Sequence, residues 1–524
     1  MPDVKRDAPS GSPPRDAALP EHPEDLRQFC RQLLTELHDK TQRLEKLTHE
    51  LALLRRYLYG RRSEQLDPGQ LLLEFASWAT ALNAAPPTPP AAAGPGAAGP
   101  ARPRPGHGRT PLPAFLPRQR VEHALPDAQC TCAACGARLV KIGEETSEQL
   151  DYTPASLFVT EHVRFTYACR ACEDHLVTSP LPAQPIDKGR PGPGLLAQVI
   201  TAKYADHLPL NRQGDIFARH GVDLSRQTLC DWVAAAAELL EPVYRDLQAR
   251  VLGGKVIHTD DTPVPVQDRT RTQTRAGRLW VYVGDAHPAD LVYDYSATRS
   301  RAGPLAFLGD FRGYLQADAY AGYDALYATG RVVEVGCWAH ARRYFWEAKD
   351  SDAARALPAL GVIQQLYRVE TEAKPLDAAA RRALRQAQAP PVLERFKAWL
   401  DEQAGVVLPK SPIGEAVHYA RAQWTALTRY LEDGDLTIDN NASERALRRV
   451  VTGRKNWLFC GSDAGGQRAA ILYSIVATCK AHGIDAWAYL RDVLARISTH
   501  PNRRRAELLP RHWKAARADA TAQS

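Results

Sequence analysis

Lys255-Val-Ile-His-Thr-Asp260 is the stretch that decides the fold, because a short apolar strand here ends in an acid. Two further strands are predicted at residues 279–283 and 291–295, followed by a short helix around residues 302–308. Tyr314-Leu-Gln-Ala-Asp318 is then a fourth strand that also ends in an acid. The pattern therefore places two carboxylates at the ends of two strands.

The order of these elements predicts a ribonuclease-H-like core within a multidomain α/β protein. A fifth strand at residues 332–337 leads into another helix. In that layout the first and fourth strands are neighbours, so we expect Asp260 and Asp318 to come together. A single acid at a strand end is more often a turn or cap residue. Asp261 also competes with Asp260, because strand register decides which of the two faces the site.

A third acid, Glu444, is expected to come from a later helix. Asn440 precedes apolar residues at helical spacing, which places Glu444 in the first turn. Carboxylates are suitable ligands for the hard ions Mg²⁺ and Mn²⁺. Phosphodiester cleavage uses two such ions about 3.5–4 Å apart. Asp260, Asp318 and Glu444 are therefore the predicted catalytic residues and the ligands of two Mg²⁺ (or Mn²⁺) ions.

A long segment separates the second acid from the third. Residues 350–430 are rich in Ala, Leu, Arg and Glu, which predicts an all-helical insertion within a catalytic domain at residues 251–480. Such an insertion either brackets DNA at the active site or is a purely structural subdomain.

The N-terminal region predicts a coiled coil and a linker. Apolar residues, mostly leucines, recur in steps of four and three from Leu26 to Leu58, so residues 26–66 read as a leucine zipper. A zipper favours a homodimer or higher oligomer; the alternative is an amphipathic helix packed on its own protein. Residues 1–25 are expected to be disordered, and residues 84–113 to form a Pro/Ala-rich basic linker.

Two Cys-x-x-Cys pairs predict a zinc-binding module over residues 120–186. The four ligands are Cys132, Cys135, Cys169 and Cys172. Four thiolates are the ligand set of a structural Zn²⁺ site, and they leave no open position for catalysis. Cys130 is an alternative ligand. Two such pairs among ten cysteines suit a reducing cytoplasm better than a disulfide-bonded exported protein.

Residues 190–250 predict a helical DNA-binding domain. A helix at residues 208–219, a turn and a second helix beginning after the N-cap Ser225 have helix-turn-helix spacing. Arg226 and Gln227, at the start of that second helix, are the candidate DNA contacts. An ordinary pair of packed helices is the alternative.

The net charge of +7 is modest for 524 residues, but basic residues cluster after Glu444. The predicted phosphate contacts are Arg445, Arg448, Arg449, Arg454 and Lys455. Such a local excess favours a polyanionic partner, with a solvated surface as the alternative.

No apolar run approaches the roughly 18 residues of a membrane span, and no export signal is evident. We therefore expect a cytoplasmic, nucleoid-associated protein with no membrane partner.

With these residues, the chain resembles the large transposases of the insertion-sequence-sixty-six family. The two specific strings are Asp318-Ala-Tyr-Ala-Gly-Tyr-Asp324 and Asp439-Asn-Asn-Ala-Ser-Glu-Arg445. His258-Thr-Asp-Asp-Thr-Pro263 and Gly336-Cys-Trp-Ala-His-Ala-Arg342 match the family as well. The similarity covers residues 26–515 apart from the linker.

The resemblance implies a DDE-type DNA transposase whose three acids are Asp260, Asp318 and Glu444. It also implies a C-terminal extension at residues 481–515, double-stranded DNA as the partner (element ends and target) and small accessory proteins. Two positions depart from the family. Asp261 stands where the family usually has Glu, and Ala319 stands where it usually has Gly. Because Ala319 follows a predicted metal ligand, its added bulk could lower activity.

Two other functions account for part of the sequence. A zinc-ribbon, helix-turn-helix DNA-binding regulator without catalysis would explain residues 132–232, but it leaves the three acids without a purpose. A ribonuclease-H-like nuclease without strand transfer, such as a junction resolvase, would use the acids. Metal-dependent strand cleavage separates the first from a transposase, and strand joining separates the second.

Overall fold

The computed structural model describes residues 183–522 except 188 and 269, two short strands, residues 157–160 and scattered residues between 22 and 47. The chain forms two compact units, Met1–Ala84 with Thr166–Ser524, and Ala85–Phe165. The predicted linker and most of the predicted zinc module lie outside the described residues. So do all five cysteines assigned to that module: Cys130, Cys132, Cys135, Cys169 and Cys172.

The described residues between 24 and 47 are helical. Leu33, Leu34, Leu37 and Leu47 are exposed there, which is unusual for leucine. The rest of the predicted zipper lies outside the described residues, and the homodimer stays a prediction.

Two short antiparallel strands begin the larger unit. β1 (Thr166–Ala168) pairs with β2 (Leu176–Thr178), with Tyr167 opposite Val177. Cys169 and Cys172 lie between these strands in the sequence.

Three helices follow, and they agree with the predicted helix-turn-helix spacing. They are α1 (Pro193–Tyr204), α2 (Leu210–Arg219) and α3 (Arg226–Leu252). Ser225 caps α3 as predicted, because its hydroxyl accepts a hydrogen bond from the Thr228 N–H. The turn between α2 and α3 contains Gly221 at φ +79°, a conformation that glycine adopts readily.

A five-stranded mixed sheet follows. Its strands are β3 (Val256–Val266), β4 (Arg275–Gly284), β5 (Leu291–Ser296), β6 (Gly313–Gln316) and β7 (Val332–Val335). The order across the sheet is β5-β4-β3-β6-β7, so the first and fourth of these strands are neighbours and run parallel, as predicted. The short helix α4 (Ala302–Leu308) lies where the sequence placed it.

β3 is longer than its sequence predicts. We expected it to end at Asp260, but it continues to Val266 because it pairs with β4 as far as Arg275. The extension contains Pro263 and Pro265, which cannot donate a backbone hydrogen bond to a neighbouring strand. They are tolerated because β3 pairs with β6 only as far as His258, so beyond that residue one side of β3 has no strand partner.

The insertion is helical, as predicted: the regular elements between residues 353 and 428 are all α-helices. After α5 (Asp324–Tyr327) and α6 (Trp338–Ala348) come α7 (Ala353–Ala373), α8 (Ala378–Gln388), α9 (Pro390–Ala404), α10 (Pro412–Ala422) and α11 (Trp424–Thr428). These helices share an apolar core with α6, built around Trp338, Phe345 and Phe396. The insertion thus has its own core beside the sheet.

Four more helices complete the described chain: α12 (Asn441–Trp457), α13 (Asp463–Ala481), α14 (Ala486–Arg496) and α15 (Pro510–Ala522). α13 covers the edge strand β5. There the Ser474 hydroxyl accepts a hydrogen bond from the Tyr293 N–H, and the Thr478 hydroxyl accepts from the Leu291 N–H and donates to the Leu291 carbonyl oxygen. Covering an edge in this way satisfies backbone groups that would otherwise be open to pairing. None of the described helices is long and apolar enough to cross a membrane.

Candidate active site

Asp260 lies within β3, and Asp318 follows the end of the neighbouring strand β6 by two residues. The last parallel pair between β3 and β6 is His258 with Gln316, and each acid stands two residues beyond that pair. Equal offsets from one register pair of adjacent parallel strands place the two acids near each other, and the negative charge of Asp318 contributes to the raised pKa of Asp260. The shared register therefore brings the two predicted acids together.

Glu444 reaches the same region from the first turn of α12, as predicted. Asn440, at the start of this helix, is fully buried and donates a hydrogen bond to the Thr259 carbonyl oxygen at 2.7 Å. Thr259 directly precedes Asp260, so this bond fixes the beginning of α12 against the centre of β3. The Ser443 hydroxyl donates to the Asn440 carbonyl oxygen and tightens the first turn.

The electrostatics of Asp260 show that the three acids interact. Burial raises the pKa of its carboxyl group to about 7, with further contributions from the negative charges of Asp318, Asp261 and Glu444. The Asp261 N–H, which donates to Asp260, acts in the opposite direction. A carboxyl group in this environment is stabilised as an anion by a nearby cation.

The other two acids already attract cationic groups. Arg299 lies 3.7 Å from an Asp318 oxygen, and Glu444 has Arg343 at 3.6 Å and His340 at 3.8 Å. Among the described residues, no three His, Cys, Asp or Glu side chains are grouped closely enough to hold a metal ion. The chemistry of the donors still fits a hard divalent ion, since all three are carboxylates and the charges of Asp318 and Glu444 both act on Asp260.

Asp261 has partners of its own. Its carboxylate, only 3% exposed, accepts from Arg278 at 2.9 Å and from Arg299 at 3.0 Å. Arg299 also lies over the Tyr320 ring, with 4.6 Å between the guanidinium carbon and the ring centre. Asp261 therefore holds the arginine that borders Asp318, while Asp260 carries the charge that interacts with the other acids.

A buried glutamine connects the end of β6 to the segment before α12. Gln316 is fully buried, donates to the Gly336 and Thr437 carbonyl oxygens, and accepts from the Thr437 hydroxyl. Thr437 is two residues before Asp439, which accepts from Tyr367 of the insertion helix α7. Gln316 was not among the predicted site residues, although a polar residue in an apolar strand, two residues before an acid, is a usable signal.

Arg299 and His340 were also missed as site residues. Arg299 is far from all three acids in the sequence, and nothing in its local pattern marks it. His340 follows β7 in a string that the family resemblance included, but without an assigned role. Burial and the adjacent Arg343 lower the pKa of the His340 ring, although the acids around it act in the opposite direction.

Ala319 adopts a left-handed backbone conformation, with φ +60°. This conformation costs a residue with a Cβ about 1–2 kcal/mol, and it gives a physical reason for the glycine that the family usually has here. We expect Ala319→Gly to raise the melting temperature by about 1–2 °C, because the relieved strain exceeds the extra chain entropy of glycine. Thermal unfolding by circular dichroism measures this shift.

Ala328 provides the matched control, since its φ is −60°. There a glycine substitution relieves nothing and should lower the melting temperature. If Ala319→Gly is as destabilising as Ala328→Gly, backbone strain at Ala319 is not the reason for the family's glycine.

The predicted phosphate contacts divide into two groups on α12. Arg445, Arg448 and Lys455 are exposed, whereas Arg449 is partly buried. Arg454 donates to the Thr262 hydroxyl at 3.0 Å and to the Pro263 carbonyl oxygen, so it holds the helix against β3. The exposed group is the one that DNA can reach in this structure.

The two candidate contacts on the helix-turn-helix are also accessible. Arg226 and Gln227 are exposed in the first turn of α3, and Gln227 donates to Asp231 one turn later. The first turn of such a helix is the part that reaches base edges in helix-turn-helix proteins.

The sequence matches four family models in the order that the segments occur. The model of the Transposase IS66 family matches residues 188–468, which include all three acids. The chain belongs to the IS66 transposase family. The zinc-finger binding domain of transposase IS66 matches residues 129–173, and the IS66 C-terminal element matches residues 474–511. A model described as transposase C of IS166 homeodomain matches residues 46–121, which overlap the second half of the predicted zipper at residues 26–66.

The chain is also similar to curated relatives over most of its length. Protein y4hP of Sinorhizobium fredii is 37% identical over 433 residues, which is 78% of each chain. Protein y4jD of the same organism is 35% identical over 515 residues, covering 94% of this chain and 97% of the relative. Both relatives carry the description uncharacterized. Membership of the IS66 family is therefore shown by the family models.

Proposed function

We propose that this IS66-family member is a DDE-type DNA transposase with a ribonuclease-H-like core that cleaves 3′ ends and transfers them to a target. The observation that carries the proposal is the shared register of Asp260 and Asp318, with Glu444 brought beside them by α12. Zn²⁺ in the cysteine module would be structural. DNA binding follows from the family, and double-stranded element ends and target DNA are the proposed substrates.

Asp260, Asp318 and Glu444 would hold two Mg²⁺ or Mn²⁺ ions. When bound, such ions lower the pKa of an attacking water or hydroxyl and stabilise charge on the leaving oxygen. Gln316 and Asn440 keep the strand ends and α12 in register, so that the carboxylates are oriented before DNA arrives. This preorganisation is what positions a phosphodiester for in-line attack.

The proposed reaction has two steps. Water attacks the phosphodiester at the element end and frees a 3′-OH, and this 3′-OH then attacks a phosphodiester of the target. Each step exchanges one P–O bond for another, so no covalent protein–DNA intermediate forms and no Ser or Tyr nucleophile is assigned. The exposed basic residues of α12 hold DNA phosphates near the carboxylates.

Strand cleavage and joining test the proposal in cells that carry the complete element on a donor plasmid. We expect Asp318→Asn and Glu444→Gln to abolish both steps, because each removes a charged ligand while preserving size. Asp324→Asn is the matched control: Asp324 lies in the same sequence string but is exposed and outside the site. Cleavage without joining would favour the nuclease, and DNA binding without cleavage the regulator.

The salt dependence of DNA binding tests the phosphate contacts. Replacing Arg445, Arg448 or Lys455 by Ala should each reduce the slope of log K against log salt by about one, because one fewer counterion is released. Arg504→Ala serves as the control, since that exposed arginine is paired with Glu507. Fluorescence anisotropy at several salt concentrations gives the slopes. Three variants with the wild-type slope would rule out this face of α12.

A further inference from the structure

The end of α12 carries an exposed apolar tip formed by Leu458 and Phe459. Their side chains are 62% and 42% exposed. In the described range 183–522 they are the only adjacent pair of exposed large apolar residues. Exposed large apolar side chains are costly in water unless a partner covers them. The function proposed so far uses neither residue.

The tip is held firmly on both sides. Leu458 has φ +67°, an unusual conformation for a residue with a branched side chain, and its N–H donates to the Arg454 carbonyl oxygen. Cys460 pairs with the end of β3, since its N–H donates to the Pro265 carbonyl oxygen at 2.8 Å. Strained backbone that the surroundings hold in place is found most often at functional sites. Leu458 and Phe459 therefore project from fixed supports.

A basic stripe connects the tip to the carboxylates. Arg445, Arg448, Thr452 and Lys455 are spaced by three, four and three residues, so they share one face of α12, and all four are exposed. Glu444 is one turn before Arg448 on the same face. At about 1.5 Å per residue, the tip lies roughly 21 Å beyond Glu444, which is about six base pairs of duplex.

The contacts of α12 with β3 show in which direction the helix runs along the sheet. At the start of the helix, Asn440 is hydrogen-bonded to Thr259. At its far end, Arg454 is bonded to Thr262 and Pro263, and Cys460, just after the helix, is bonded to Pro265. The helix thus runs in the same direction as β3. The tip and the three carboxylates therefore lie at opposite ends of the basic stripe on α12.

We propose that Leu458 and Phe459 form a wedge that enters a base step of duplex DNA lying along the basic stripe. This inference rests on the proposed function, because it takes DNA as the partner. Charge complementarity decides the occupant, since a cationic stripe leads directly to the tip and carries no acid between Arg445 and Lys455. Apolar wedges of this kind unstack a step and bend the duplex. The wedge would distort DNA at a fixed distance from the cleaved bond.

A duplex that is already opened at one step should bind better, because part of the unstacking cost has been removed. The probes are a 30-base-pair duplex and the same duplex with one central abasic site, both bound to the full-length protein. We expect the wild type to prefer the abasic duplex by about tenfold, and Phe459→Ala or Leu458→Gly to prefer it less than twofold. The salt slope of both variants should equal that of the wild type, since their phosphate contacts are intact.

Val406→Ala is the matched control, because Val406 is also 62% exposed but lies after α9, away from the stripe. It should retain the tenfold preference. Equal affinity of the wild type for both duplexes overturns the wedge while leaving the DNA-binding function standing. Loss of all DNA binding by the wild type would overturn both proposals. If Phe459→Ala instead lowers the dimer fraction in sedimentation and keeps the preference, a second copy covers the tip and the inference is wrong.

Discussion

Replacing Asp260 by Asn should abolish strand cleavage and at the same time stabilise the fold at neutral pH. Loss of one charged ligand removes several kcal/mol of transition-state stabilisation, a decrease on the order of 10³-fold. The gain in stability has a different cause. Burial and the neighbouring carboxylates raise the pKa of Asp260 to about 7, so the folded state contains an unfavourable charge that Asn does not carry.

The pH dependence follows from that raised pKa. Between about pH 4 and pH 7 the folded protein binds more protons than the unfolded chain, so the stability of the wild type falls as pH rises through this window. The Asn variant lacks this decrease. Since one pKa unit corresponds to about 1.4 kcal/mol, we expect its free energy of unfolding to exceed that of the wild type by about 4 kcal/mol above pH 7, with no difference below pH 4. Urea unfolding at pH 4 and pH 7.5 measures both.

Asp294→Asn controls for burial alone. Burial raises the pKa of Asp294, on β5, to about 6, but Asp294 lies outside the three acids. Its substitution should also stabilise the protein at pH 7.5 while preserving cleavage. Added Mg²⁺ should raise the melting temperature of the wild type and of Asp294→Asn, but not that of Asp260→Asn. If Asp260→Asn is less stable than the wild type at pH 7.5, the charged Asp260 carboxylate does not destabilise the folded state and this explanation is wrong.

The sheet could be predicted from the sequence because its strands are bounded by local signals. Five short strands were predicted from local runs, and the adjacency of the first and fourth followed from their order. The end of β3 could not be predicted. A strand tolerates Pro263 and Pro265 only where the side that they face has no strand partner. β6, which is distant in the sequence, is too short to pair with β3 beyond His258, and this leaves that side open.

The acids of the candidate site could be predicted from the sequence, but the basic residues around them could not. Acids following strands are visible in a sequence, and so is a helix that begins with Asn440. The arginine beside Asp318 was not, because Arg299 is placed by Asp261 and Tyr320 through contacts that no spacing encodes. Likewise, the sequence grouped Arg454 with the phosphate contacts by charge alone, whereas the structure gives it bonds to Thr262 and Pro263.

Arg385→Met should be the most destabilising substitution in the insertion. Arg385, on α8, is 1% exposed and makes a bidentate ion pair with Glu370, with both distances 2.7 Å. Its remaining nitrogen donates to the carbonyl oxygens of Tyr430, Asp433 and Leu436. Methionine preserves the volume but leaves Glu370 without its partner, which costs about 3–5 kcal/mol. Urea unfolding measures the loss, and Arg382→Ala, at an exposed position on the same helix, should change stability by less than about 0.5 kcal/mol.

The consequence for catalysis separates a structural role from a positioning role. The carbonyl groups that Arg385 holds belong to residues 430–436, which lead directly to Thr437 and Asp439 and then to the helix of Glu444. We expect Arg385→Met to reduce strand cleavage even at a temperature where the variant is fully folded. Adding Glu370→Gln should recover part of the stability, because the uncompensated charge is gone, but little of the cleavage, because the three carbonyl oxygens stay without their donor. Equal recovery of stability and cleavage would mean that the insertion affects the site only through overall folding.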